Sequence, residues 1–182
     1  MRWPRAQGRS PRNSSGCSDG NVTVVPVVTR DPDETRKLGE AVAELLEPGD
    51  VVSLTGDLGA GKTTLVQGAA RALGVTDQVA SPTFVLVREH AGDVPVNHVD
   101  VYRLERLQEV IDLGLEDLLD PEGVTFVEWG SGITSLLPDS YLEIELSAGD
   151  QEERRLRVTA RGPRWNRRVE RLEAVLRPWG AD

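Results

Sequence analysis

The chain has 182 residues, 28% of them charged, a single cysteine and a net charge of −9, which suits one α/β domain with a sizeable core and is too short for two ordinary ones. Cys17 alone excludes an internal disulfide and a cysteine-based metal cluster. No apolar run approaches the ~20 residues needed to cross a bilayer and no apolar signal block opens the chain, so a soluble cytoplasmic protein with no membrane partner is expected.

Charge is unevenly spread: residues 1–20 carry +3, residues 21–153 carry −18, and residues 154–182 carry +6. Such an acidic body disfavours tracking along a phosphate backbone, while the basic C-terminal end either packs against that body or touches an anionic partner. Residues 1–20 are rich in Pro, Gly, Ser and Arg with almost nothing to bury, and read as a flexible extension. The folded domain is expected over residues 21–177.

Val22 to Val28 is β-rich, and Pro26 within it suits an edge strand. Asp31-Pro32-Asp33-Glu34 supplies a helix N-cap, a proline at the first helical position and acids in the first turn. The helix that follows has the apolar stripe Leu38, Ala41, Val42, Leu45 and Leu46, and stops before Pro48-Gly49.

Val51 to Thr55 then reads as a short buried strand. Behind it, Gly56-Asp57-Leu58-Gly59-Ala60-Gly61-Lys62-Thr63 satisfies G-x-x-x-x-G-K-[ST], with Thr64 and a helical run (Leu65, Val66, Ala69, Ala70, Leu73) following at once. Gly56, Gly59 and Gly61 let the backbone curl so that successive N–H groups face an anion, to which the new helix adds its positive end. Lys62 can reach the outer phosphates, and Thr63 offers a hydroxyl where a bridging Mg²⁺ needs an oxygen ligand. A nucleoside triphosphate with Mg²⁺ is the expected ligand.

Ser81-Pro82-Thr83-Phe84 opens a strand expected over Phe84 to Val87. Thr83 either lies in a switch segment that senses the terminal phosphate or simply follows a proline turn. After a turn at Gly92-Asp93, Val94 to Tyr102 alternates apolar and polar residues like a hairpin partner. His98 within it is expected to point at solvent or a partner. Two apolar strands end in an acid, one in Asp100 and one, Val124 to Val127, in Glu128-Trp129. Either acid could serve the Mg²⁺ shell, or Asp100 could pair with Arg103 and Glu128 cap a helix starting near Gly130. Glu105 to Leu119 is helical in pattern. Tyr141 to Leu146 and Arg154 to Ala160 read as strands around a turn at Ala148-Gly149-Asp150, and a last helix starts near Arg164.

Five marks in this order resemble the TsaE/YjeE family: Asp33-Glu34-Thr35 with Leu38-Gly39, GDLGAGKTT at 56–64, SPTF at 81–84, HVDVYRL at 98–104, and VEW at 127–129. The resemblance spans about residues 22–176. It implies a single-domain α/β P-loop NTPase fold with a mixed central β-sheet flanked by helices, binding ATP with Mg²⁺. It implies Lys62 on the phosphates, Thr63 and Glu128 on Mg²⁺, Asp100 orienting or deprotonating the attacking water, Thr83 in the switch segment, and Thr35 near the nucleobase. By the same resemblance the protein is an ATPase that supports threonylcarbamoyladenosine formation on tRNA. It would act with a glycoprotease-like threonylcarbamoyl transferase and its paralogue (TsaD/TsaB type), reset that complex by hydrolysis, and touch tRNA indirectly. The Arg-rich residues 1–20 are not part of the family pattern. The run of Arg from Arg154 is denser than the pattern requires, which leaves contact through that end open.

Rival functions are a small-molecule kinase, a GTPase and a nucleotide-gated binding module. No Arg-rich lid insertion lies between residues 100 and 130, and the only lysines, Lys37 and Lys62, do not follow an Asn as guanine recognition through Asn-Lys-x-Asp requires.

Overall fold

The computed structural model describes residues 22–82, 86–102, 119 and 121–181. Its strands are β1 (Thr23–Thr29), β2 (Val51–Thr55), β3 (Val87–His90), β4 (Val96–Asp100), β5 (Val124–Glu128), β6 (Tyr141–Ala148) and β7 (Arg154–Arg161). The α-helices are α1 (Pro32–Ala43), α2 (Lys62–Ala72), α3 (Gly162–Asn166) and α4 (Val169–Leu176), and a 3₁₀ segment covers Gly130–Leu136. Among the described residues no helix is long and apolar enough to cross a membrane.

The strands form one mixed seven-stranded sheet in the order β1-β7-β6-β2-β5-β4-β3. Strands β6, β2, β5 and β4 run parallel to one another, whereas β1, β7 and β3 are antiparallel to their neighbours. Central parallel strands are covered on both faces and so read as continuous apolar runs. On one face Val52, Leu54, Val124, Phe126 and Ile144 join Leu38, Val42, Leu65, Val66 and Leu172 of the helices. On the other, Val51, Val99 and Val127 pack with Ile133 and Tyr141. As the sequence suggests, Pro26 lies in edge strand β1. That edge is joined by the end of the chain, where Val27 bridges Gly180 and the Ala181 N–H donates to the Pro26 carbonyl.

Helix α1 starts as its cap signal predicts, the Glu34 N–H donating to Asp31 Oδ1 at 2.7 Å. It stops at Ala43, and Leu45 and Leu46 stay buried in the turn that follows. Where helices α1 and α2 cross, two glycines replace side chains that would not fit. A Cβ on Gly39 would overlap the Leu65 carbonyl, and one on Gly68 the Arg36 carbonyl. The backbones are therefore in direct contact there.

Three sequence expectations need correction or restriction. Of the strand expected over Phe84 to Val87, residues 84 and 85 lie outside the described residues, with 83; β3 begins at Val87, and Leu86 before it is left-handed (φ 70°), its N–H donating to the Pro82 carbonyl at 2.7 Å. The helix expected over Glu105 to Leu119 lies outside them except for Leu119, which packs on the second core. The last helix is two pieces, because the chain turns at Arg168 to bury its guanidinium. Arg168 Nη1 and Nη2 donate to Asp50 Oδ2 and Oδ1 at 2.6 and 3.1 Å, and Nη1 also donates to the Leu45 carbonyl.

Alanine normally improves a helix over glycine by about 1 kcal/mol. Gly68→Ala should do the opposite, lowering stability by about 2 kcal/mol in denaturant melts, because its methyl meets unyielding backbone; a gain in stability would refute the direct helix contact. His90, buried at the end of β3, has its pKa pushed below the usual imidazole value by burial, with His98 and Arg88 acting the same way and Asp77 opposing. The unfolded chain then binds a proton the folded one resists, so this contribution is intact above about pH 6.5 and is lost as pH falls below it. The melting temperature should therefore drop between about pH 7.5 and about 5.5, and drop less in His90→Gln.

Candidate nucleotide site

The C-terminal end of β2 runs into the glycine loop. Gly56 (φ 126°) sits so close to β6 that a Cβ would overlap the Leu146 carbonyl oxygen. Gly59 (φ 79°) and Gly61 (φ 103°) complete the curl, and Gly61 caps α2 with no side-chain hydrogen bond to its first turn. Arg154, the first residue of β7, runs alongside, its Cγ and Nε 3.9 Å from where a Gly61 Cβ would lie. Backbone N–H groups at such a helix start, with an arginine beside them, make an anion cradle.

Lys62 folds back over this loop. Its Nζ donates to the Gly56 and Asp57 carbonyls at 2.8 and 2.9 Å and lies 3.8 Å from the centroid of the Trp129 ring. Burial pushes its pKa below the usual lysine value, opposed by the negative charges of Glu128, Asp100 and Asp57. The indole reaches this place because Trp129 is itself left-handed (φ 65°), its N–H donating to the Leu54 carbonyl. The ring also stands against Tyr102, centroids 4.6 Å apart.

Both acids come from neighbouring parallel strands in register, Asp100 opposite Glu128, and both are buried. The Thr63 hydroxyl donates to Glu128 Oε1 at 2.7 Å, and His98 Nε2 lies 2.9 Å from the same oxygen. Asp100 is held separately: Ser81 Oγ donates to its Oδ2 at 2.9 Å and the Tyr102 N–H to its Oδ1 at 3.0 Å. Lys62, Thr63, Ser81, Asp100, Tyr102, Glu128 and Trp129 line, with the loop, a cavity of about 260 Å³.

Among the described residues no group of three or more His, Cys, Asp or Glu could hold a metal ion by itself. Mg²⁺ does not require one, since it takes one or two protein oxygens and fills its octahedron with phosphate oxygens and water. Adjacent ligands on such an octahedron are about 2.9 Å apart, and the oxygens of Thr63 and Glu128 stand 2.7 Å apart. This donor pair fits the ion.

Leu58, Gly59, Gly61, Lys62, Thr63, Thr64, Asp100 and Glu128 meet at one cavity. Gly56 and Asp57 hold the Lys62 ammonium, and Ala60 is buried behind the loop. Thr35 is not brought there: it is 1% exposed, and its hydroxyl is engaged with Thr29 Oγ1 and the Asp31 carbonyl. Thr83 lies outside the described residues. His98 is fully buried rather than facing solvent, because β4 is covered on both faces and His98 shares the face that carries Asp100, against Glu128. Ser81 and Arg154 also escaped assignment from sequence. Ser81 stood within a quoted motif, but Arg154 reaches the loop only through the β6–β7 hairpin, a juxtaposition that no local pattern announces.

A family model described as "Threonylcarbamoyl adenosine biosynthesis protein TsaE" matches residues 29–156. A Bacillus subtilis protein named tRNA threonylcarbamoyladenosine biosynthesis protein TsaE is 42% identical over 145 residues, covering 79% of this chain and 90% of its own. A protein of the same name from Streptomyces coelicolor is 46% identical over 138 residues, covering 71% of this chain and 93% of its own. Among solved structures, Bacillus subtilis YdiB superposes with a TM-score of 0.73 at 36% identity, covering 84% of this chain and 96% of that one.

Proposed function

The chain belongs to the TsaE family of threonylcarbamoyl adenosine biosynthesis proteins, and from that membership we propose that it is a Mg²⁺-dependent ATPase of the P-loop NTPase fold. It serves N6-threonylcarbamoyladenosine formation on tRNA in the cytoplasm. The ATPase unit is residues 21–177, with residues 1–20 an extension outside it. The observation that carries this reading is the convergence of Lys62, Thr63, Asp100 and Glu128 on one cavity at the mouth of the glycine loop.

The loop amides and the start of α2 hold the phosphates of ATP, and the Lys62 ammonium exchanges the Gly56 and Asp57 carbonyls for phosphate oxygens. Arg154 adds positive charge on the flank of the loop. Thr63 and Glu128 hold Mg²⁺, which when bound neutralises charge on the transferring phosphoryl group. Asp100, fixed by Ser81 and the Tyr102 amide, accepts a hydrogen bond from the attacking water and aligns it. Thr83 belongs to the segment that senses the terminal phosphate. The partners are a glycoprotease-like threonylcarbamoyl transferase and its paralogue of the TsaD/TsaB type, reset by hydrolysis, with tRNA contacted through them.

Lys62→Ala should abolish ATP hydrolysis and, in cells that depend on this chain, tRNA threonylcarbamoylation; undiminished turnover would end the phosphate-loop account. The two acids divide the work, so Asp100→Asn should lower kcat while leaving Mg²⁺·ADP affinity near that of the parent. Glu128→Ala should weaken metal-dependent binding as well, by about tenfold or more. Equal binding losses in both would void that division.

A further inference from the structure

Resting on the ATPase reading, we propose that His98 is a positioning residue that fixes the metal-binding carboxylate of Glu128. His98 lies in the middle of β4, two residues before Asp100 and on the same face of the strand, opposite Phe126 of β5. The ring is fully buried, and Nε2 stands 2.9 Å from Glu128 Oε1. A carboxylate oxygen accepts, so Nε2 carries the hydrogen of this bond.

Nδ1 has no hydrogen-bond partner among the described residues. Leaving a buried polar atom unpaired costs stability, and an aliphatic side chain would fill this core without that cost. The imidazole is thus a poor choice for packing, and its one polar engagement among the described residues is the carboxylate. Glu128 has three side-chain torsions to lose, and two donors converge on one of its oxygens. Thr63 is the less constraining of the two: its hydroxyl rotates, and its oxygen is itself offered to the metal. The ring N–H points along a direction set by a strand and a packed core. Outer-shell hydrogen bonds of this kind orient a ligand and sustain metal affinity.

The test uses the full chain and Mn²⁺ with ADP, free and bound Mn²⁺ being counted by electron paramagnetic resonance. Glutamine can place an amide N–H near the position of Nε2, whereas asparagine ends near Nδ1 and cannot reach Glu128. His98→Asn should lose about tenfold or more in Mn²⁺ affinity, His98→Gln should stay close to the parent, and metal-free ADP binding should be the same in all three. Parent-like Mn²⁺ affinity in His98→Asn, or an equal loss in His98→Gln, would overturn the proposal. A parent protein that binds neither ADP nor Mn²⁺·ADP would instead overturn the ATPase reading beneath it. The unmutated chain gives an independent check, because it contains only two histidines: ¹⁵N spectra should find a hydrogen on Nε2 of His98, and a ring bare at Nε2 would refute the assignment.

Discussion

The structure depends most on the parallel register of three adjacent strands. Leu54 of β2 lies opposite Glu128 of β5, and Glu128 opposite Asp100 of β4, so the glycine loop and both acids leave the sheet at the same edge of the core. A slip of one residue in either pairing would turn an acid to the other face. The apolar residues on both faces prevent it: Val124 and Phe126 belong to one core, Val127 to the other. Two buried carboxylates are thus placed beside a buried ammonium by packing that involves none of them.

Elements far from the cavity hold the loop in turn. The direct backbone contact at Gly39 and Gly68 presses α2 against α1, which sets where the start of α2 lies. Asp50, immediately before β2, accepts two hydrogen bonds from Arg168, both groups being buried. Breaking such a pair from one side strands a charge in the core, so the join is costly to open even where it adds little net stability. Through it the C-terminal helices are tied to the strand that feeds the phosphate loop.

Much of this was legible in the sequence, for identifiable reasons. The loop is a contiguous pattern with a strand before it and a helix after it, and Asp100 and Glu128 each stand at the end of a strand-like segment. Cap chemistry predicted the start of α1 to the residue. Legibility failed where three-dimensional context overruled a local pattern. The alternation in Val94 to Tyr102 resembles a half-exposed strand, yet β4 lies between β5 and β3 with all five of its residues buried, and His98 turns to Glu128. Nothing about a leucine announces the left-handed backbone of Leu86, just before β3. The helical pattern after Arg164 contains no breaker, and the chain breaks because Asp50, over a hundred residues away, claims Arg168.

The junction of the chain end with β1 has a consequence for how this molecule meets others. Gly180 and Ala181 occupy backbone hydrogen-bonding positions along Val27 and Pro26, so that stretch of the β1 margin is sealed by the protein itself. An extended peptide recruited by main-chain pairing could not use that stretch of β1 without displacing these residues. An affinity handle fused after residue 182 would tug at the seal, whereas one placed before residue 22 would leave it alone.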